Sequence, residues 1–311
     1  VSMTRHFLRD DDLSPAEQAE VLELAEALKK DRFSSKVFAG PKTVALIFDK
    51  PSTRTRVSFA VGVSELGGAP LIIDSATSQL GSNEPVADTA RVLDRQVAMI
   101  VWRTFAQSGL EQMAKNSSVP VINSLSDEFH PCQLLADLMT IKEKIGSLQG
   151  KVLSYIGDAS NNMAHSYLLA GATAGMRVRV AGPAMYQPNA KVLEKAKQIA
   201  ESTGGTVDCY TDPKLALVDS DVVATDSWVS MGQQDQKAEK IEAFEGFRMD
   251  AELLSMAKPG AIVLHCLPAY RGLEITDEVL EGSQSVVWDQ AENRLHAQKA
   301  LMVWLAQRAK A

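Results

Sequence analysis

The chain has 311 residues, 45% of them hydrophobic and 23% charged, an ordinary globular balance at a length that suits two domains. Its formal net charge of -7 argues against nucleic acid as the main partner, because phosphate backbones select basic faces. An acidic protein that binds an anion must concentrate positive charge locally, so the positions of its arginines carry information.

The first stretch, residues 1–12, ends in Asp10-Asp11-Asp12 and lacks the apolar core of a secretion signal, with Met3 a candidate native start behind Val1-Ser2. Leu13-Ser14-Pro15-Ala16-Glu17 is a helix-start signature with Ser14 as the cap. The apolar run 43–48 reads as a buried strand, and a helix from about Thr55 stops at Gly67-Gly68. Residues 71–73, 97–102 and 119–122 are the next strands. From Pro131, which suits a first helical position, an apolar pattern of helical period runs to Ile145 and stops at Gly146. The alternation restarts after Gly150 with a strand at 152–156 and a helix from about Asn161. Further strands fall at 178–180, 222–224 and 261–264, and an amphipathic helix at about 292–308 closes the chain. No apolar run approaches the length of about 18 residues that a membrane span needs.

Strands alternating with helices imply an α/β fold: two doubly wound parallel-sheet domains joined by a bridging helix. The expected boundaries are 1–147 for the first domain, completed by a C-terminal helix at 290–311 that packs back on it, and 148–289 for the second. In open α/β sheets ligands bind beyond the carboxyl ends of the strands. The polar residues there are 49–56, Arg103, Asn123, 158–162, Thr225-Asp226-Ser227 and His265-Cys266.

Ser52-Thr53-Arg54-Thr55-Arg56 follows a strand and opens a helix, where open N–H groups, the positive helix end, hydroxyls and two arginine forks favour phosphate or carboxylate. The bland alternative is a capped helix with surface arginines, and a Walker A loop is excluded because G-x-x-x-x-G-K is absent. Arg103 at a strand's carboxyl end is either a snorkelled edge residue or a ligand clamp. His130-Pro131-Cys132-Gln133 puts His130 and Gln133 at one helix entry, where a histidine donor can polarise a carbonyl oxygen or simply cap the helix. Asp226-Ser227-Trp228-Val229-Ser230-Met231-Gly232 is a strand-end acid entering a loop, suited to a cationic amine or to an ordinary turn.

His265-Cys266-Leu267-Pro268-Ala269-Tyr270-Arg271-Gly272 pairs a histidine with a thiol, but strand neighbours point to opposite faces, so Cys266 reads as a substrate contact and not as a hydrolase nucleophile. Cys132, Cys209 and Cys266 show no C-x-x-C spacing, so neither a disulfide framework nor a zinc site is indicated, and free thiols suit a reducing cytosol. Ile156-Gly157-Asp158 lacks G-x-G-x-x-G, which leaves a nicotinamide cofactor without support.

Together these motifs resemble the carbamoyltransferase family, its ornithine-type members most closely. Ser52 to Arg56 looks like the family's carbamoyl-phosphate loop, His130 to Gln133 its H-P-x-Q element, Asp226 to Gly232 the ornithine-type D-x-x-x-S-M-G loop, and His265 to Gly272 the H-C-L-P-x-x-R-G element. The four motifs run in order over nearly the whole chain. The resemblance implies a cytoplasmic homotrimeric transferase with shared sites, no cofactor and no metal, which carbamoylates L-ornithine to L-citrulline in arginine biosynthesis. It implies that carbamoyl phosphate is held by Ser52, Thr53, Arg54, Thr55, Arg103, His130, Pro131, Cys132, Gln133, Arg294 and backbone at Cys266 and Leu267, with Gln79 reaching in from a neighbouring subunit. Ornithine falls to Asn162, Asp226, Ser230 and Met231, and catalytic roles to Arg54, Arg103, His130, Asp226 and Cys266. Competing expectations are a carbamoyltransferase with another amine acceptor and a catalytically silent anion-binding homologue.

Overall fold

The computed structural model describes residues 4–74, 83–229, 235 and 237–309. Gln79, Ser230 and Met231, singled out from the sequence, lie outside them. The chain divides into two compact units, Val1–Met139 with Glu292–Ala311 and Thr140–Ala291. Each carries one wholly parallel sheet, so the α/β reading holds in both.

In the first unit the described elements begin with helix α1 (Pro15–Lys30), strand β1 (Thr43–Phe48), α2 (Thr53–Glu65) and β2 (Ala69–Asp74). They continue with α3 (Val86–Leu93), β3 (Met99–Arg103), α4 (Gln107–Lys115) and β4 (Val121–Leu125). The predicted cap at Ser14 forms: its Oγ accepts from Glu17 N at 3.3 Å while Glu17 Oε2 accepts from Ser14 N at 2.9 Å. The sheet order is β2-β1-β3-β4, which puts the reversal of winding between β1 and β3. Phe48 pairs with Arg103 there, so the segment after β1 and the arginine ending β3 emerge side by side at the carboxyl edge. Ala45, Ile47, Ile100, Trp102, Leu110 and Met113 form an apolar core under that edge.

α5 (Pro131–Ile145) runs over the span its proline and Gly146 mark, Gly146 sitting at φ +86 where a side chain would be strained. The second unit then holds β5 (Val152–Ile156), α6 (Asn162–Thr173), β6 (Arg177–Ala181), α7 (Ala190–Thr203), β7 (Thr206–Tyr210), α8 (Pro213–Leu217) and β8 (Val222–Thr225). After these come α9 (Lys237–Ala243), α10 (Ala251–Leu254), β9 (Ile262–His265) and α11 (Asp277–Leu280), and α12 (Val287–Arg308) returns the chain to the first unit from Glu292 onward. The order β7-β6-β5-β8-β9 reverses between β5 and β8.

Some boundaries differ from the sequence reading. β4 starts at Val121 and not at Val119, because Pro120 has no N–H for the ladder. β7 is an addition: only Val207 of its five residues is buried, so no apolar run announces it. α12 begins at Val287, ahead of the expected 292. No described helix is long and apolar enough to cross a membrane.

Candidate functional site

In the first unit the helix α2 starts on Ser52, whose Oγ accepts from Thr55 N at 3.2 Å. This satisfies one first-turn donor and leaves Thr55 pointing inward, 1% exposed. Two guanidinium groups converge on its hydroxyl: Arg103 Nη1 at 3.4 Å and Arg294 Nη2 at 3.2 Å. Arg294 Nη1 also donates to Gln133 Oε1 at 2.7 Å, and Gln133 Nε2 donates to Asp137 Oδ1 at 2.8 Å. The end of β3 and the final helix α12 thus meet on one hydroxyl in the first turn of α2, and the first turn of α5 joins them through Arg294.

His130 is buried beside them. Its imidazole is held well below the ordinary histidine range, first by burial and then by the charges of Arg294, Arg103, Arg54 and Lys50. A neutral imidazole among four cations is a hydrogen-bonding group for a carbonyl oxygen and not another charge.

Lys50 belongs to the strand-end residues 49–56 but to none of the motifs. It is 7% exposed, ion-paired with Asp127, with its ammonium 4.5 Å from the Phe105 ring centroid. Arg56 leaves the cluster: it pairs with Asp74 and stacks over Phe48. Residues two apart on a helix do not share a face, so Arg54 and Arg56 cannot both point inward. The Cys132 thiol donates to the Asn123 carbonyl at 3.4 Å, and burial pushes its pKa up to about 12. What Cys132 can offer a ligand is its backbone.

In the second unit Ile156 pairs with Thr225 and Thr225 with His265, so the residues that follow them lie at one carboxyl edge. Cys266 Sγ donates to Asp226 Oδ1 at 3.2 Å. Asp226 is 8% exposed, and burial pushes its carboxyl above the ordinary range against the opposing pull of His265 and the thiol. Asn162 opens α6 at the same edge, half-buried, next to the Asn161 cap whose Nδ2 reaches Tyr155 Oη at 3.0 Å. Asp158 is tied to Lys240 at 2.7 Å, both almost fully buried.

His265 and Cys266 serve different partners, as their strand geometry predicts. His265 Nδ1 accepts from Leu267 N at 2.8 Å and Nε2 faces Glu274 Oε1 at 3.0 Å, so the ring proton sits on Nε2. Glu274 Oε1 also accepts from Tyr270 N at 2.7 Å, which binds this segment back on itself. Leu267 stands at φ +58, a strained conformation for a branched residue. Its N–H is spent on His265, so the carbonyls of this segment are what a ligand can meet. Asp226, His265 and Cys266 bring three donor atoms within 4.8 Å of one another, yet both ring nitrogens of His265 are already engaged.

An α/β protein with an arginine cradle for an anion in one unit and an acid–thiol pair in the other is what this geometry defines. Profiles of the aspartate/ornithine carbamoyltransferase family match both units: the carbamoyl-P binding domain over residues 5–143 and the Asp/Orn binding domain over 149–305. The chain belongs to that family. It is 63% identical to the ornithine carbamoyltransferase of Renibacterium salmoninarum, covering 99% of this chain and 100% of the relative. It is 62% identical to that of Clavibacter sepedonicus, covering 97% and 99%. Among solved structures, the ornithine carbamoyltransferase of Pyrococcus furiosus superposes with a TM-score of 0.94 at 45% identity, covering 99% of both chains.

Proposed function

We propose that the protein transfers the carbamoyl group of carbamoyl phosphate to the side-chain amine of L-ornithine, giving L-citrulline and phosphate, in arginine biosynthesis in the cytoplasm. The observation that carries this is the Thr55 hydroxyl shared by Arg103 and Arg294, with neutral His130 buried beside the same cations. A phosphate needs the arginines, and a carbonyl next to it needs a neutral or cationic donor; a simple anion site has no use for the second.

The first domain, 1–147 with 290–311, binds carbamoyl phosphate through Ser52, Thr53, Arg54, Thr55, Arg103, His130, the helix entry Pro131-Cys132-Gln133 and Arg294. Carbonyls near Cys266 and Leu267 accept from the carbamoyl amide. The second domain, 148–289, binds ornithine through Asn162, Asp226, Ser230 and Met231. The amine attacks the carbonyl carbon, a tetrahedral intermediate forms, and the C–O bond to phosphate breaks. Arg103, Thr55 and His130 stabilise the oxyanion, while Arg54 and Arg103 offset charge on the leaving phosphate.

The attacking amine must be neutral. With a lysine-like pKa of about 10.4, roughly one molecule in a thousand is neutral near neutral pH, a penalty of about 4 kcal/mol. Asp226 faces the α-ammonium and Cys266 lies near the reacting nitrogen. Turnover is expected to rise with pH to a plateau; a flat profile across the neutral range contradicts a visible deprotonation step. Carbamoyl phosphate binds first and ornithine second.

Three copies assemble, and Gln79 of a neighbouring subunit completes each site. Supporting this, the edge strand β2 exposes Leu71 and Ile72, and α2 exposes Val57, an apolar edge that another copy would cover.

The test is carbamoyl phosphate offered with ornithine, aspartate, putrescine or N-acetylornithine, scored for carbamoylated product. Citrulline from ornithine supports the reading. Product from another amine alone overturns the acceptor, and no product from any overturns the transferase.

A further inference from the structure

Arg294 is held by more than its neighbours at the helix entry. Its Nε donates to Gln298 Oε1 at 2.8 Å, one turn further along α12. Gln298 Nε2 in turn donates to Ser58 Oγ at 2.7 Å, and Ser58 Oγ donates to the Thr55 carbonyl at 3.3 Å. Ser58, Gln298 and Arg294 are all buried, Gln298 completely.

The chain of donors fixes which way the Gln298 amide faces. Ser58 spends its hydroxyl proton on Thr55, so it must accept from Gln298, and the amide oxygen is left for Arg294. Each of the three guanidinium nitrogens then has one N–H direction taken by a neutral oxygen: Gln298 on Nε, Gln133 on Nη1 and Thr55 on Nη2. Three anchors define the plane of the fork, and none of the three adds negative charge that would compete with an anion.

We propose that Gln298 is a positioning residue: with Ser58 it sets the plane of the Arg294 guanidinium for the anionic substrate, without touching that substrate. This rests on the reading of Arg294 as a carbamoyl-phosphate contact given above. Nothing in the carbamoyl-phosphate motifs points to a glutamine four residues after Arg294 in the last helix. A glutamate at 298 keeps an acceptor for Nε, but it cannot donate to Ser58 and it sets a carboxylate against the charge that should meet phosphate. An alanine removes the anchor and leaves a buried N–H without that acceptor.

The experiment compares wild type, Gln298→Ala, Gln298→Glu, Ser58→Ala, Arg294→Ala and the double variant Arg294→Ala/Gln298→Ala. Carbamoyl phosphate binding is measured by calorimetry without amine, alongside both KM values and thermal unfolding. Gln298→Ala is expected to weaken carbamoyl phosphate about tenfold, the scale of a hydrogen bond to a charged group, and to leave the ornithine KM within about twofold. Gln298→Glu weakens it further at neutral pH and recovers in part as the medium is acidified. Ser58→Ala moves the same way by about threefold, and supplies the comparison should Gln298→Ala not fold. In the Arg294→Ala background Gln298→Ala adds nothing.

Unchanged carbamoyl phosphate affinity in folded Gln298→Ala and Ser58→Ala, or a Gln298→Ala penalty that persists without Arg294, overturns the proposal while leaving the reading of Arg294 standing. Wild-type affinity in Arg294→Ala overturns that reading and this proposal with it.

Discussion

The two units treat charge in opposite ways. The first gathers Arg54, Arg103, Arg294 and Lys50 around one buried imidazole, and orients Arg294 with neutral oxygens. At this spacing its cations repel one another. The second suppresses charge: burial pushes Asp226 toward its neutral form in spite of the hydrogen bond that Cys266 donates to it, and Lys240 is paired with Asp158. A bound anion is expected to relieve the first arrangement and a bound ammonium to favour the charged form of Asp226 in the second, so each should show a separable signature of ligand and pH.

The largest expected effect strikes the frame of the second unit. Lys240→Met strands the Asp158 carboxylate in a buried position and should lower unfolding stability by about 3–5 kcal/mol, read from urea denaturation. A loss below about 1 kcal/mol would mean that the carboxylate finds water or another partner. In the first unit, Arg103→Ala should reduce turnover about 10²–10³-fold with little change in stability, because a preorganised donor aimed at developing charge is lost. Steady-state kinetics checks this.

Asp226→Asn separates function from stability. Losing the carboxylate is expected to cut kcat/KM for ornithine about 10²-fold, while stability is unchanged or higher because burial already disfavours the charged form. The smallest effect is a pH slope. His130 stays neutral in the folded protein, whereas the unfolded imidazole takes a proton near its ordinary 6.5. Unfolding therefore takes up a proton below that pH, and stability falls as pH drops through the window by up to about 1.4 kcal/mol per unit. His130→Asn should flatten that part of the profile in paired thermal melts, and parallel curves for the two proteins would sink the assignment.

Much of this was legible in the residues because local chemistry and tertiary role agreed. Pro131 and Gly146 mark α5 at both ends, and the strand-end inventory contains Arg103, Asp226 and Cys266 from position alone. Arg56 shows the limit of counting charges in a motif, since helical spacing turns it away to Asp74. Lys50 stood in the same inventory but carried no motif signal, and its burial over Phe105 comes from packing. Glu274 and Gln298 were invisible for a plainer reason: each acts on a site residue through a contact that no sequence period encodes.

The central claim is that charge assembled in the first unit captures carbamoyl phosphate independently of the acid–thiol pair in the second. Calorimetric titration of carbamoyl phosphate, without amine, into wild type, Arg103→Ala and Asp226→Asn tests it most directly. The account predicts that binding is lost or at least 10²-fold weaker in Arg103→Ala and unchanged in Asp226→Asn. Carbamoyl phosphate bound normally by Arg103→Ala, or lost in Asp226→Asn, would contradict it.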